Sequence, residues 1–193
     1  MVSSIEAFRN YQRQSAWVWE HQALTRARYC AGDAATGAAF EAERRHILSI
    51  QRNLEKLRAE VLDMRQQLFA AHPNPSDLFD LKHDRGGMID IEFAVQYLIL
   101  AHAHRHPKLL ANDGNIALLG FAAVDGLIDQ RLAREVQEAY RVYRRLQHGL
   151  RLAGEKFARV PAQTVAGPIA ATLRLWDTIL DRKSTRLNSS HVK

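Results

Sequence analysis

Apolar residues recur along this chain at three- and four-residue intervals, the spacing that gathers them on one face of an α-helix. The clearest run is Phe40, Ile47, Ile50, Leu54, Leu57, Val61, Met64 and Leu68. It predicts one long helix, ending at His72-Pro73-Asn74-Pro75, where two prolines forbid continuation. Ahead of it, Ser3 and Glu6 have capping-box spacing, and Ile5, Phe8, Tyr11, Trp19, Ala23 and Ala27 predict another long helix to about Tyr29, broken at Gly32-Asp33. Downstream, a helix starts near Ile89, carries Ile91, Val95, Leu98 and Ile99, and stops ahead of Pro107. Asn112-Asp113-Gly114 opens a short helix closed by Gly126, and Asp129 caps a longer one to about Ala153. Pro161 and Pro168 flank the approach to a last helix around Leu173, Leu175 and Trp176. No convincing β-alternation occurs. The expected architecture is all-α, a bundle of about five to six helices: two long helices over 1–71, a Gly-Gly loop over 72–88 and a C-terminal helical bundle over 89–180.

Composition agrees with this, since 47% of the 193 residues are hydrophobic and only 10 are Gly and 5 Pro. The longest apolar stretch, Phe93 to Ala101, is interrupted by Gln96 and is too short to span a membrane; without a signal-like start, a cytoplasmic protein is expected. The lone Cys30 excludes an internal disulfide and a multi-cysteine zinc site. A net charge of +6 would suit an acidic partner such as nucleic acid. However, the run from Asp181 to Lys193 is polar and aperiodic, and Asp181 to His191 resembles the translated reading frame of a common sequencing adapter. We set 181–193 aside as non-native. The segment holds four basic residues and one acidic residue, so half of the basic excess leaves with it. Neither a nucleic-acid partner nor membrane association is expected.

The most informative stretch runs from Asp80 through Lys82, Arg85, Gly86-Gly87 and Asp90-Ile91-Glu92-Phe93. Paired glycines before a helix let backbone amides approach an anion, and Lys82 and Arg85 would complete a phosphate cradle. Equally, Gly-Gly is a flexible turn, and Asp90 and Glu92 are first-turn carboxylates favoured by the helix dipole. On a helix those two carboxylates diverge by about 200°, so they do not share one metal ion. Arg26 and Arg28 lie two apart, so at most one points into a site with Glu20 or Gln22; the alternative is a solvated face. His102, His104 and His106 have no carboxylate or cysteine partner at metal-ligand spacing, and no metal site is expected. The run Tyr140-Arg141-Val142-Tyr143-Arg144-Arg145 reads either as an acid-binding face or, more commonly, as a snorkelling helix surface.

Taken in order, Val2-Ser3-Ser4, Phe8, Trp19-Glu20, Ala23-Leu24, Arg26-Ala27-Arg28, Gly32-Asp33, Leu81-Lys82, Gly86-Gly87, Asp90-Ile91-Glu92-Phe93, Gln96-Tyr97, Tyr143-Arg144, Leu146-Gln147-His148 and Leu150-Arg151-Leu152 carry a resemblance. From Val2 to Leu180 the chain resembles the carboxy-terminal part of the bifunctional glutamine synthetase adenylyltransferase/adenylyl-removing enzyme family. The Asp-Ile-Glu-Phe form of the motif is similar to its adenylylating half. The resemblance implies a helical domain that follows a polymerase-β-type nucleotidyltransferase domain. It implies ATP-dependent, Mg²⁺-requiring transfer of AMP to a tyrosine of glutamine synthetase, reversed by phosphorolysis in the other half, with PII signalling protein and glutamine as regulators. By the same resemblance, Arg26, Arg28, Lys82, Gly86 and Gly87 are expected at nucleotide or acceptor contacts, and Glu20, Asp90 and Glu92 are expected to orient the loop. The family's Gly-Ser turn and Asp-x-Asp metal carboxylates do not occur in this sequence, so no catalytic or metal-binding residue is assigned and the chain alone is expected to be inactive. Two alternatives stay open: a non-catalytic docking or regulatory module for PII or glutamine synthetase, and the helical region of the related PII uridylyltransferase.

Overall fold

A computed structural model describes residues 3–180; the 181–193 segment and Val2 lie outside the described residues. Eight α-helices are present among them: α1 Ile5–Gln14, α2 Val18–Leu24, α3 Ala34–Leu48, α4 Leu54–Ala71, α5 Met88–His102, α6 Asn115–Val124, α7 Gln130–Leu152 and α8 Ala166–Ile179. The all-α reading holds, with one addition. Two-residue strands β1 (Phe79–Asp80) and β2 (Arg159–Val160) pair antiparallel, Phe79 opposite Val160. Strands this short leave no alternation to read.

Both expected long helices are broken in two, and capping explains each break. Ser4, rather than Ser3, caps α1 by accepting from the Ala7 amide. The first helix then stops at Gln14, and Glu20 Oε2 accepts from the Trp17 amide at 2.8 Å, fixing a new start for α2. In the second, Asn53 Oδ1 accepts from the Lys56 amide and begins α4, while Ser49 turns its hydroxyl back onto the Arg45 and His46 carbonyls. The apolar seam therefore crosses a turn, and Ile50 and Leu54 at its centre are exposed. The asparagine offers the backbone a cap that outweighs the periodic pattern.

Helix α5 is the axis of the fold. It is apolar nearly all round, and buried residues run from Met88 to Ala101 on every side of it. Helices α2, α4, α6, α7 and α8 pack around it. Arg44, 1% exposed, donates to the carbonyls of Leu24, Thr25 and Leu110 and so clamps the C-terminus of α2 to the turn before α6. Three hydrogen bonds to carbonyls offset the burial of its charge. No helix among the described residues is long and apolar enough to cross a membrane.

Candidate functional site

The motif Asp90-Ile91-Glu92-Phe93 sits in the first turns of α5, and its two carboxylates serve two different places. Asp90 is 1% exposed; its Oδ1 accepts from Arg65 Nε at 2.5 Å and its Oδ2 from the Gly86 amide at 2.6 Å. Arg65 also donates to the His83 carbonyl at 2.8 Å. Asp90 thus ties Arg65 on α4 to the loop at Gly86. The Tyr143 hydroxyl, whose pKa burial pushes well up, donates to the Gly86 carbonyl at 2.7 Å.

The phosphate-cradle reading of the loop is corrected by where its amides go. Gly86 donates to Asp90, Gly87 to the Asp84 carbonyl, Met88 to Leu81 and Ile89 to Lys82. The N-terminus of α5 is satisfied from within, leaving no amide nest for an anion. The glycines are required by closeness instead. A Cβ on Gly87 would stand 2.9 Å from the Leu81 carbonyl oxygen, and Gly86 has φ +87° with Ile169 against it. Lys82 is exposed, and its amide donates to Asp80 Oδ1. Burial alone would raise the Asp80 pKa, but donations from the His83 and Lys82 amides outweigh it and hold the carboxyl low. Arg85 lies over the Trp176 ring, 4.7 Å from its centroid.

Glu92 faces the other way. Its Oε2 pairs with Arg26 at 3.1 Å and its Oε1 accepts from the Tyr140 hydroxyl at 3.0 Å; Asn115 donates to that hydroxyl in turn. Burial, then the charge of Glu92, raises the Tyr140 pKa, which keeps the phenol a donor. The pairing joins the Arg26-Ala27-Arg28 and Asp90-Ile91-Glu92-Phe93 motifs in space. Glu92 therefore does not orient the Gly-Gly loop. Neither does Glu20, whose oxygens accept from Tyr11 and Trp17 at the α1–α2 turn.

Beside this network opens a groove of about 820 Å³. Arg26, Arg28, Arg141 and Arg144 line it, together with Val95, Ile99, Asn112 and Asn115. Both predicted arginines reach it, because the chain leaves α2 at Leu24 and is no longer helical at 28. Lys82, Gly86 and Gly87 do not line it. Sequence reasoning passed over Arg65, Arg44, Asn112 and Asn115; the only available signal was a polar side chain within an otherwise apolar stripe, and on α4 Arg65 follows Val61 by four residues.

Two family models match the chain: glutamate-ammonia ligase adenylyltransferase over residues 1–43, and GlnD PII-uridylyltransferase over residues 54–177. The chain is 55% identical over 93% of its length to the bifunctional glutamine synthetase adenylyltransferase/adenylyl-removing enzyme of Bordetella bronchiseptica. It is 53% identical over 91% to that of Burkholderia mallei and 54% over 94% to that of Chromobacterium violaceum. It belongs to the glutamine synthetase adenylyltransferase family. The chain spans about one fifth of the length of these relatives, 19% of the first and 20% of the other two. The second match runs from the start of α4 into α8. The groove straddles both matched parts, since Arg26 and Arg28 come from the first and Asn115 and Arg144 from the second. For an Mg²⁺-dependent adenylyltransferase reaction the residues present do not supply a metal site. Among the described residues no three His, Cys, Asp or Glu side chains are grouped to hold an ion, and Glu92 is already engaged by Arg26 and Tyr140.

Proposed function

We propose that this chain is the helical domain standing behind the adenylylating site of an enzyme that transfers AMP from ATP to a tyrosine of glutamine synthetase. In that parent, Mg²⁺ and the reacting phosphates are held by a nucleotidyltransferase domain, and PII protein and glutamine adjust the rate in the cytoplasm. The observation that supports this most is the likeness to adenylyltransferases along nearly the whole chain, 55% identical over 180 residues. Arg26 and Arg28 then make nucleotide or acceptor contacts from the groove wall, Glu92 holds Arg26 in place, and Asp90 fixes the loop that starts α5. Lys82 is exposed beside that loop and is the remaining candidate for a phosphate contact. The test is radiolabelled AMP incorporation into glutamine synthetase by the full-length parent carrying Arg26→Ala or Glu92→Gln. Both are expected to slow transfer, and unchanged kinetics in both rejects the reading. The 193-residue chain alone is expected to transfer nothing; adenylylated tyrosine formed by it would contradict this.

The match of residues 54–177 to the uridylyltransferase family favours one second reading, a helical region of an enzyme that transfers UMP to PII. UMP rather than AMP incorporation by the full-length parent would select it.

A further inference from the structure

We propose that Tyr140 is a positioning residue for the parent's transfer reaction: its hydroxyl fixes the Glu92 carboxylate so that a single oxygen meets Arg26, and the rest of that guanidinium stays available at the groove. The inference rests on the adenylyltransferase reading for what Arg26 does, and adds the residue that aims it.

The direction of one proton carries it. A phenol has one proton to donate and two lone pairs that accept. Asn115 Nδ2 donates to the Tyr140 hydroxyl at 3.0 Å, and the Arg144 guanidinium, one turn along α7, donates to it as well. Both of these nitrogen groups are donors only, so the phenolic proton is left for Glu92 Oε1, 3.0 Å away. Tyr140 is buried, which keeps that proton on the oxygen and excludes water as a rival partner. With Oε1 held from α7, Glu92 has Oε2 left for Arg26 Nη1 at 3.1 Å. The contact is made at one point rather than as a two-pronged fork, and the Arg26 side chain stays 61% exposed where it lines the groove.

The parts come from far apart in the chain. Asn115 opens α6, Tyr140 and Arg144 lie on α7, Glu92 on α5, and Arg26 just past the end of α2. A side chain aimed by partners on three packed helices keeps its place far better than one aimed by solvent. Without the hydroxyl the carboxylate is free to turn, to meet Arg26 with both oxygens or to swing to the Arg144 guanidinium, and either movement takes Arg26 off its aim. The Tyr140–Arg145 run thus works inward, through Tyr140 on Glu92 and Tyr143 on Gly86.

The test is a double-mutant cycle in the full-length parent, read as AMP incorporation into glutamine synthetase. Tyr140→Phe, which removes one oxygen and keeps the ring, is expected to lower kcat/KM about threefold or more, and to have no further effect in an Arg26→Ala background. A tyrosine that only supports the fold would slow transfer by the same factor with or without Arg26. That additive result overturns the proposal and leaves the adenylyltransferase reading standing, as does full-rate transfer by Tyr140→Phe. Unchanged transfer in both Arg26→Ala and Glu92→Gln removes the reading, and the proposal with it. If circular dichroism shows Tyr140→Phe unfolded, Asn115→Ala takes its place in the cycle, with a smaller expected loss that Arg26→Ala masks in the same way. Independently of activity, ¹⁵N NMR of the 193-residue chain is expected to show slowed rotation of the Arg26 guanidinium, recognised by its absence in Arg26→Ala, and faster rotation in Tyr140→Phe. Equal rotation in the two chains overturns the proposal.

Discussion

Asp90 and Glu92 stand two residues apart on one helix and experience opposite environments. Asp90 is sealed in protein, shared between a buried arginine and a backbone amide, and nothing about it is adjustable. Glu92 pairs with Arg26, which is 61% exposed, at the mouth of an open groove. The first kind of pair costs desolvation and tolerates no loss of a partner; the second is screened by water and contributes little to stability. One short motif thus sends one carboxylate to a sealed loop and the other to an open groove, on two sides of α5, and the contrast is open to experiment.

The largest effect is expected on the sealed side. Asp90→Ala leaves the Arg65 guanidinium buried without its carboxylate, and urea unfolding should show a loss of about 3–5 kcal/mol. Arg65→Met of similar length tests the converse. If removal of the charge on both sides restores most of the loss, the pair serves specificity more than stability. Next comes Gly87→Val, whose side chain meets the Leu81 and Asp84 carbonyl oxygens at 2.9 and 3.0 Å; overpacking of this kind costs about 1–3 kcal/mol in the same assay. On the open side, Arg26→Ala should shift stability by less than about 1 kcal/mol while lowering AMP transfer by the full-length parent roughly tenfold. A stability loss as large as that of Asp90→Ala would break the comparison.

The smallest effect is one of pH, and both sides share in it, since burial lowers the pKa of His83 on the loop as well as that of His21. His21 on α2 donates from Nε2 to the Gln12 carbonyl at 3.0 Å, and burial lowers its pKa. Because the unfolded chain takes up that proton first, stability falls as pH drops below about 6.5 toward the lowered folded value. On the loop side, Asp80 is lowered by its amide donors, so its contribution persists until pH falls below the ordinary carboxylate range and through the folded value. Denaturation midpoints between pH 7 and 5 should therefore decline, and His21→Gln, which retains a donor, should remove part of that slope, His83 supplying the rest.

Much of the fold was legible because caps are local. Asp129 accepts from the Leu132 amide and starts α7 where the sequence placed it, and Gly114, at φ +84°, precedes α6. Asn53 is an equally good cap but sits inside an unbroken apolar repeat, and the repeat is the more conspicuous signal. At the site, the resemblance named Arg26 and Glu92 without revealing that they touch, which depends on α2 and α5 meeting across the sequence. Arg65 and Arg44 were invisible for a different reason. An arginine on a helix is ordinarily read as solvated, and only tertiary structure supplies the carboxylate or carbonyls that allow its burial. At the loop glycines the sequence is ambiguous, since close backbone approach and anion binding ask for the same residue, and the structure shows the close approach.

The small β1–β2 pairing carries a consequence for the order in which the chain assembles. Phe79 and Val160 are brought together only after everything between them, three helices included, has been gathered. Closing so long a loop is entropically unfavourable until α5 to α7 have shortened it, so this ribbon, with Asp80 and Arg159 at its end, should form late. The loop that starts the central helix is then locked last, by residues from the far end of the domain, and a ribosome must release nearly all of it before that lock can close.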